Sequence, residues 1–294
     1  MMDKEGKYIY CIIATSQERN FGPIGIGGRL DDVLTIGYED LSMVVSSHPM
    51  ALAIGSQTIV PRPITNLAVN SDNMLAHQRV IEEVMKEFDS VLPVRFGTIA
   101  SNADEIRNLL GRRYRELKNA LRDADHKVEL GVKGVWKNMD RIFKEITQEN
   151  KEIRKAKEEI QNDAGRKNIH PVRNRTPEAS DDCLRQSASN GVQAKMEVGK
   201  MVEKALEKKK EKEAERIVDA LRRTAFDYKL NRTVGDEMFV NAAFLVDKGR
   251  EKEFDNIMDD LGEEHKDRVK FMYTGPLPVF NFVNIVIYPE EWEK

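Results

Sequence analysis

The sequence predicts an α+β protein made of two successive units, and three observations carry that prediction. Short runs alternate apolar and polar residues with period two, as strands with one buried face do: Leu92, Val94 and Phe96, then Val128, Leu130 and Val132, then Val240, Ala242, Phe244 and Val246. Between them, apolar residues recur at three- and four-residue steps, the spacing of helices that bury one face. Finally, 294 residues exceed what one small domain needs, and a self-contained succession of strands and helices closes near Asp125 before a second begins.

The first unit spans residues 1–125. Tyr8 to Ala14 is a continuous apolar run and reads as a buried strand. The stretch Gly22-Pro23-Ile24-Gly25-Ile26-Gly27-Gly28 reads as a turn between strands. Val33 to Ile36 and Leu41 to Val45 are short strands split by Tyr38-Glu39-Asp40, and Met50 to Asp72, with Pro61 and Pro63, reads as a loop. His77, Ile81, Val84, Met85 and Phe88 share one helix face. After the strand of Leu92 to Phe96, Asn102 and Glu105 have the spacing of a capping box, whose side chains satisfy backbone N–H groups that a helix start leaves open. The helix they open buries Ile106, Leu109, Leu110, Tyr114, Leu117 and Leu121.

The second unit spans residues 126–294. Val128, Leu130, Val132 and Trp136 share a strand face with Gly134, opposite Glu129, Gly131 and Lys133. A charged helix follows from about Asn138 to Gln161. Residues 162–190, with Gly165, Pro171, Pro177 and many Asn, Arg and Ser, bury too little apolar surface to offset ordering and are expected to be a disordered loop. A long helix then reaches about Asn231, its apolar stripe being Ala214, Ile217, Val218, Leu221, Ala225 and Tyr228. The remainder is strand, helix and strand: Val240 to Val246, then Phe254, Ile257, Met258 and Leu261, then Val269 to Tyr273 with a turn at Gly275-Pro276-Leu277-Pro278 before the apolar stretch Val279 to Tyr288.

Composition excludes several classes of function. Charged residues make up 33% of the chain, yet the net charge is only -3, so neither nucleic-acid binding nor adhesion to an anionic membrane is expected. The run Lys204 to Arg216 mixes signs, as a solvated helix held by i, i+4 pairs does, whereas a nucleic-acid tract is single-signed. No run approaches the ~20 apolar residues of a membrane span, and no apolar core of signal-peptide length precedes Tyr8. Of the two cysteines, Cys11 reads as a small buried hydrophobe and Cys183 as an exposed thiol. A soluble, cytoplasmic protein is expected.

No motif for chemistry emerges. The glycine-rich loop has the spacing G-x-x-G-x-G-G, with no helix pattern after it and no Gly-Lys-Ser/Thr ending, so it matches neither nucleotide-binding loop. His48, His77, His126, His170 and His265 stand at no spacing typical of metal ligands. Carboxylate pairs such as Glu82-Glu83 and Asp259-Asp260 occupy ordinary helix surfaces. No catalytic residue, cofactor or metal is therefore expected. His77, on an apolar helix face, reads as a buried, hydrogen-bonded side chain. Arg95 sits mid-strand between Val94 and Phe96, where a charge is costly to bury unless paired. It reads as an ion pair, as a side chain on the solvated face, or as an anchor for a partner's carboxylate or carbonyl.

Six segments in order resemble the GvpL/GvpF family of gas vesicle proteins. They are Tyr8-Ile9-Tyr10-Cys11-Ile12-Ile13, Gly25-Ile26-Gly27-Gly28, His77-Gln78-Arg79-Val80 leading to Val91-Leu92-Pro93-Val94-Arg95-Phe96-Gly97-Thr98, Val128-Glu129-Leu130-Gly131-Val132-Lys133 with Trp136, Asn241-Ala242-Ala243-Phe244-Leu245-Val246, and Thr274-Gly275-Pro276-Leu277-Pro278-Val279-Phe280-Asn281-Phe282-Val283. Residues 162–190 look like an insertion relative to the family, and Gly191-Val192-Gln193-Ala194-Lys195 keeps only a trace of its glycine-aromatic-leucine pattern. The resemblance implies two α+β domains, the first ferredoxin-like and the second with a long helical, coiled-coil-like arm. It implies an accessory or structural protein, not an enzyme, that binds the gas vesicle shell protein and other accessory proteins and supports vesicle nucleation or growth, and so buoyancy. The motif positions it marks as partner-binding candidates are His77, Arg95, Trp136, Gly275, Pro276 and Pro278. The alternative from another class is a small-molecule- or haem-binding protein on paired ferredoxin-like domains, with His77 as the residue to watch.

Overall fold

The computed structural model describes residues 5–27, 31–49, 71–167, 181–283 and 285–287, with the side chains of 163–167 and 181–191 excepted. The first unit contains β1 (Glu5–Ile13), β2 (Leu34–Tyr38), β3 (Leu41–Pro49), α1 (Ser71–Met85), β4 (Val91–Pro93), β5 (Ile99–Ala100), α2 (Ala103–Arg112) and α3 (Tyr114–Asp123). Its antiparallel sheet has the order β2-β3-β1-β4, with β5 also pairing with β1. Central β1 is covered on both faces, which is why it reads as an unbroken apolar run. A bulge between Ile9 and Cys11 sets which side chain goes where. Tyr8, Tyr10, Cys11 and Ile13 pack with Val80, Ile81 and Val84 of α1. Ile9 and Ile12 face the other way, into Ile106, Leu109 and Leu117 of α2 and α3.

The N-cap forms as expected, while Glu105 reaches one residue further back than a capping box requires. Asn102 Oδ1 accepts the N–H groups of Asp104 (2.9 Å) and Glu105 (3.0 Å), and Glu105 returns a carboxylate oxygen to the Ser101 N–H (2.8 Å). The single helix expected beyond it is two helices, α2 and α3, meeting at Arg113. The loop expected over 50–72 lies outside the described residues up to position 70; Ser71 and Asp72 already belong to α1.

The second unit contains β6 (Lys127–Trp136), α4 (Met139–Glu149), α5 (Lys151–Lys167), α6 (Asp181–Leu221), β7 (Ala225–Leu230), β8 (Met238–Asp247), α7 (Glu251–Glu264) and β9 (Val269–Leu277). The sheet order is β7-β8-β6-β9, all antiparallel. The succession β-α-β-β-α-β with its first strand inside the sheet is the split βαβ pattern, and α4 to α6 form its first crossover. In the first sheet the spatial order matches, but β1 passes to β2 without a helix among the described residues. One core joins Val128, Leu130 and Val132 to Ile142, Ile146, Ile217, Leu221, Phe254 and Met258.

Three sequence expectations need correction here. The charged helix is broken at Asn150, whose extended backbone ends α4, and α5 then continues to Lys167. The disordered loop expected over 162–190 is helical at 162–167 and again from Asp181; 168–180 lie outside the described residues. A helix already nucleated grows at one hydrogen bond per residue fixed, so composition alone does not end it. The long helix ends at Leu221, and Ala225 and Tyr228 belong to β7. Leu221, Ala225 and Tyr228 fit helical steps by coincidence; Phe226, Tyr228 and Leu230 also fit the period of a strand, and pairing with β8 decides between them.

The chain finally returns to the first unit. Strand β9 runs on through the expected turn, with a register shift opposite Glu129 and Gly131 and a cis Gly275-Pro276 peptide. Beyond it, Val279 and Ile285 are buried in the first unit's core, and Ile285 bridges to Val94 in parallel.

Candidate functional site

Helix α1, the segment after β4 and the returning tail enclose a mainly apolar cleft of about 660 Å³. Met74 and Leu75 of α1 form one wall, Pro93 to Phe96 the second, and Phe280, Val283 and Ile285 the third. Met74, Leu75 and Phe280 are 52%, 49% and 40% exposed, so this wall area is open to an apolar occupant.

His77 lies in the cleft lining and is buried, as its position on the apolar face of α1 predicts. Its Nδ1 is 2.8 Å from the Tyr8 hydroxyl, whose oxygen also accepts the Gly97 N–H at 3.2 Å. Nε2 is buried without a hydrogen-bond partner among the described residues. Burial pushes the His77 pKa down to about 4, offset in part by the Val94 backbone, so the ring is neutral at physiological pH. It stacks on Tyr10 and meets Phe96 edge-on, both at 5.6 Å between centroids. Burial likewise pushes the Tyr8 and Tyr10 hydroxyls up, so both stay protonated donors. Tyr10 hydrogen-bonds Ser46 and accepts the Ile26 N–H, each at 2.8 Å, which ties the glycine-rich loop to the sheet.

Arg95 lines the same cleft, so two of the sequence candidates meet at one place. It is not mid-strand: β4 ends at Pro93, and Arg95 is exposed, the one charged side chain of the lining among the described residues. It forms no ion pair among the described residues.

The other candidates do different work. Trp136 is buried in the second core, stacked on Phe239 at 5.2 Å, and its Nε1–H donates to Glu213 at 2.7 Å. Gly275 and Pro276 are exposed at the end of β9 and Pro278 is buried. Gly275 has φ +145, and a Cβ there would sit 2.6 Å from Leu130 Cδ2 and 3.0 Å from the Glu129 carbonyl oxygen. Only glycine fits that backbone and that approach. These residues launch the tail that carries Phe280 to the cleft.

Sequence reasoning missed what holds the tail. Glu129, on the polar side of β6, is 4% exposed and accepts both the backbone N–H of Asn281 (2.7 Å) and its side-chain amide (2.5 Å). Lys229 donates to the Asn281 carbonyl oxygen at 2.6 Å and lies over the Phe282 ring. The available signal was the polar interruption of an apolar tract by Asn281. Among the described residues no group of three His, Cys, Asp or Glu side chains is placed to hold a metal ion, and no helix is long and apolar enough to cross a membrane.

With this geometry in place, comparison with known proteins is specific. The family model described as "Gas vesicle synthesis protein GvpL/GvpF" matches residues 6–284. Gas vesicle protein F1 of Halobacterium salinarum is 24% identical over 98% of this chain and 97% of its own length. Gas vesicle protein F of Haloferax mediterranei is 23% identical over 90% of this chain and 86% of its own. The crystal structure of GvpF from Anabaena sp. PCC7120 superposes with a TM-score of 0.69 at 17% identity, covering 96% of this chain and all (100%) of that one. GvpF from Microcystis aeruginosa gives 0.68 at 17%, covering 95% and 99%. A match across both sheets and the returning tail leaves no unit outside it: the chain belongs to the GvpL/GvpF family of gas vesicle synthesis proteins.

Proposed function

We propose that this chain is a non-catalytic gas vesicle accessory protein that binds the vesicle shell protein and supports its assembly. The observation that supports this reading is the cleft: exposed Met74, Leu75 and Phe280 around an apolar interior, with Arg95 at its lining. A shell that keeps water out of a gas space needs subunits with apolar faces, and such faces require cover before assembly. The cleft receives an apolar segment of the subunit, and Arg95 fixes its register through a carboxylate or carbonyl. The cleft, built by the first unit and the returning tail, then lies apart from a coiled-coil-like arm, α5 against α6, that is free to meet other accessory proteins; Ile153 and Leu206 pin the base of that arm.

His77 serves here as the rigid back of the cleft. Its Nδ1 is committed to Tyr8, which leaves only the buried Nε2 for any ligand. The test is co-purification of the tagged chain with the co-expressed major shell protein. Specific retention against a tag-only control supports the proposal, and its loss with a folded chain overturns it.

A further inference from the structure

The open edge of the second sheet carries a second surface, unconnected with the cleft. Strand β7 is terminal in the order β7-β8-β6-β9. On it and just after it, Phe226, Leu230 and Val234 are 64%, 61% and 72% exposed, with Tyr228 between them also exposed. Asn231 donates its N–H back to the Asn241 carbonyl at 2.7 Å. Alternate residues of an antiparallel strand face its neighbour, so Tyr228 and Leu230 turn their backbone groups away from β8 to the open edge. The Tyr228 N–H is taken by the Asp227 side chain at 2.8 Å, which leaves the Tyr228 carbonyl and both groups of Leu230 for a new strand.

Beside this edge, a groove of about 310 Å³ separates β7 from α6. Its helix wall carries Glu207, Glu211, Glu215 and Asp219, each four residues from the last and therefore in one row. Lys210 neutralises Glu207 at 3.3 Å and Arg222 neutralises Asp219 at 3.2 Å. Glu211 and Glu215 are exposed and form no ion pair among the described residues. An apolar floor, an open hydrogen-bonding edge and two unneutralised carboxylates define the occupant.

We propose that the β7 edge is a docking site for an extended segment of a partner protein in which basic and apolar side chains alternate. The segment adds to the sheet as a further strand whose basic side chains all point into the groove, laying their aliphatic stems over Tyr228 and Leu230 and reaching Glu211 and Glu215 with their charged ends, while its apolar residues point to the opposite face of the sheet. A second copy of this chain is the wrong partner, because edge-to-edge pairing would bring two acidic rows together.

Calorimetric titration of the full chain with a short synthetic peptide of alternating valine and lysine tests this, against the same peptide with glutamate in place of lysine. The lysine peptide is expected to bind, to slow amide exchange at Leu230, and to lose about tenfold or more in affinity with the exposed-site variants Glu211→Lys plus Glu215→Lys, and Leu230→Pro, which removes the outward-facing N–H. The glutamate peptide is expected not to bind. Absence of lysine-peptide binding, or binding unchanged in both variants, overturns the proposal. So does a concentration-dependent dimer of the wild-type chain that Leu230→Pro dissolves, since the edge would then belong to a second copy.

Discussion

Glu129 holds Asn281 by two hydrogen bonds across 152 positions of chain, one to its backbone N–H and one to its side-chain amide. The pair joins the middle of the second sheet to the tail that walls the cleft of the first. Burial pushes the Glu129 carboxyl up, and the Asn281 donors pull it back, so the contact stabilises only while both partners are present.

Asn281→Ala is therefore expected to cost about 1–3 kcal/mol, the penalty for leaving a buried carboxylate short of a donor. Glu129→Leu, which removes the buried charge and both bonds, is expected to cost less in stability while freeing the tail more than Asn281→Ala, which keeps the backbone N–H bond. Denaturation midpoints measure the first effect. Faster amide exchange at Phe282 and Val283 in both variants measures the second, and unchanged exchange would show that the tail is held by something else.

His77 makes stability depend on pH. Folded, it takes a proton only near pH 4; unfolded, it does so near 6.5. The unfolded chain thus binds more protons between these values, so the contribution is complete above about pH 6.5 and is lost as pH falls towards 4. The gap corresponds to about 3 kcal/mol at most. Wild type is expected to lose about 2 kcal/mol more than His77→Phe between pH 7 and pH 4.5 in chemical denaturation. Equal losses would place the acid sensitivity elsewhere.

Trp136 and Arg268 converge on Glu213. Arg268 spans Glu145 (2.5 Å) and Glu213 (2.7 Å), which links α4, α6 and the start of β9, and both carboxylates hold its guanidinium strongly protonated. Trp136→Phe keeps most of the packing but removes the indole donor, and is expected to cost about 1.5–3 kcal/mol. Trp136→Ala adds a cavity and is expected to cost about 3–5 kcal/mol. Thermal melts of the two variants separate the bond from the packing. Neither change should affect shell-protein retention, because Trp136 is remote from the cleft lining; loss of retention with the fold intact would make it a binding residue after all.

Much of this architecture was legible because local patterns and tertiary packing agree. The alternation from Val128 to Val132 and the capping pair Asn102 and Glu105 need no distant partner to be read. The misreadings fall where a distant partner decides. Pairing with β8 turned Ala225 and Tyr228 from helix to strand, and the return of the tail buried Glu129 on what alternation makes the polar side of β6. His77 and Arg95 were legible as candidates from a buried polar side chain and a charge among apolar neighbours. That both line one cleft was not, since its third wall comes from residues nearly two hundred positions later.

The central claim is that the cleft at Leu75 and Phe280 receives the shell protein. A photo-activatable cross-linking residue at either position, in the chain co-expressed with the major shell protein, addresses this directly, with exposed Arg122 as the control position. Cross-links to the shell protein from Leu75 and Phe280, absent from Arg122 and suppressed by Arg95→Glu, are the predicted result. Equal cross-linking from all three positions, or none from the cleft while the shell protein still co-purifies, would contradict it.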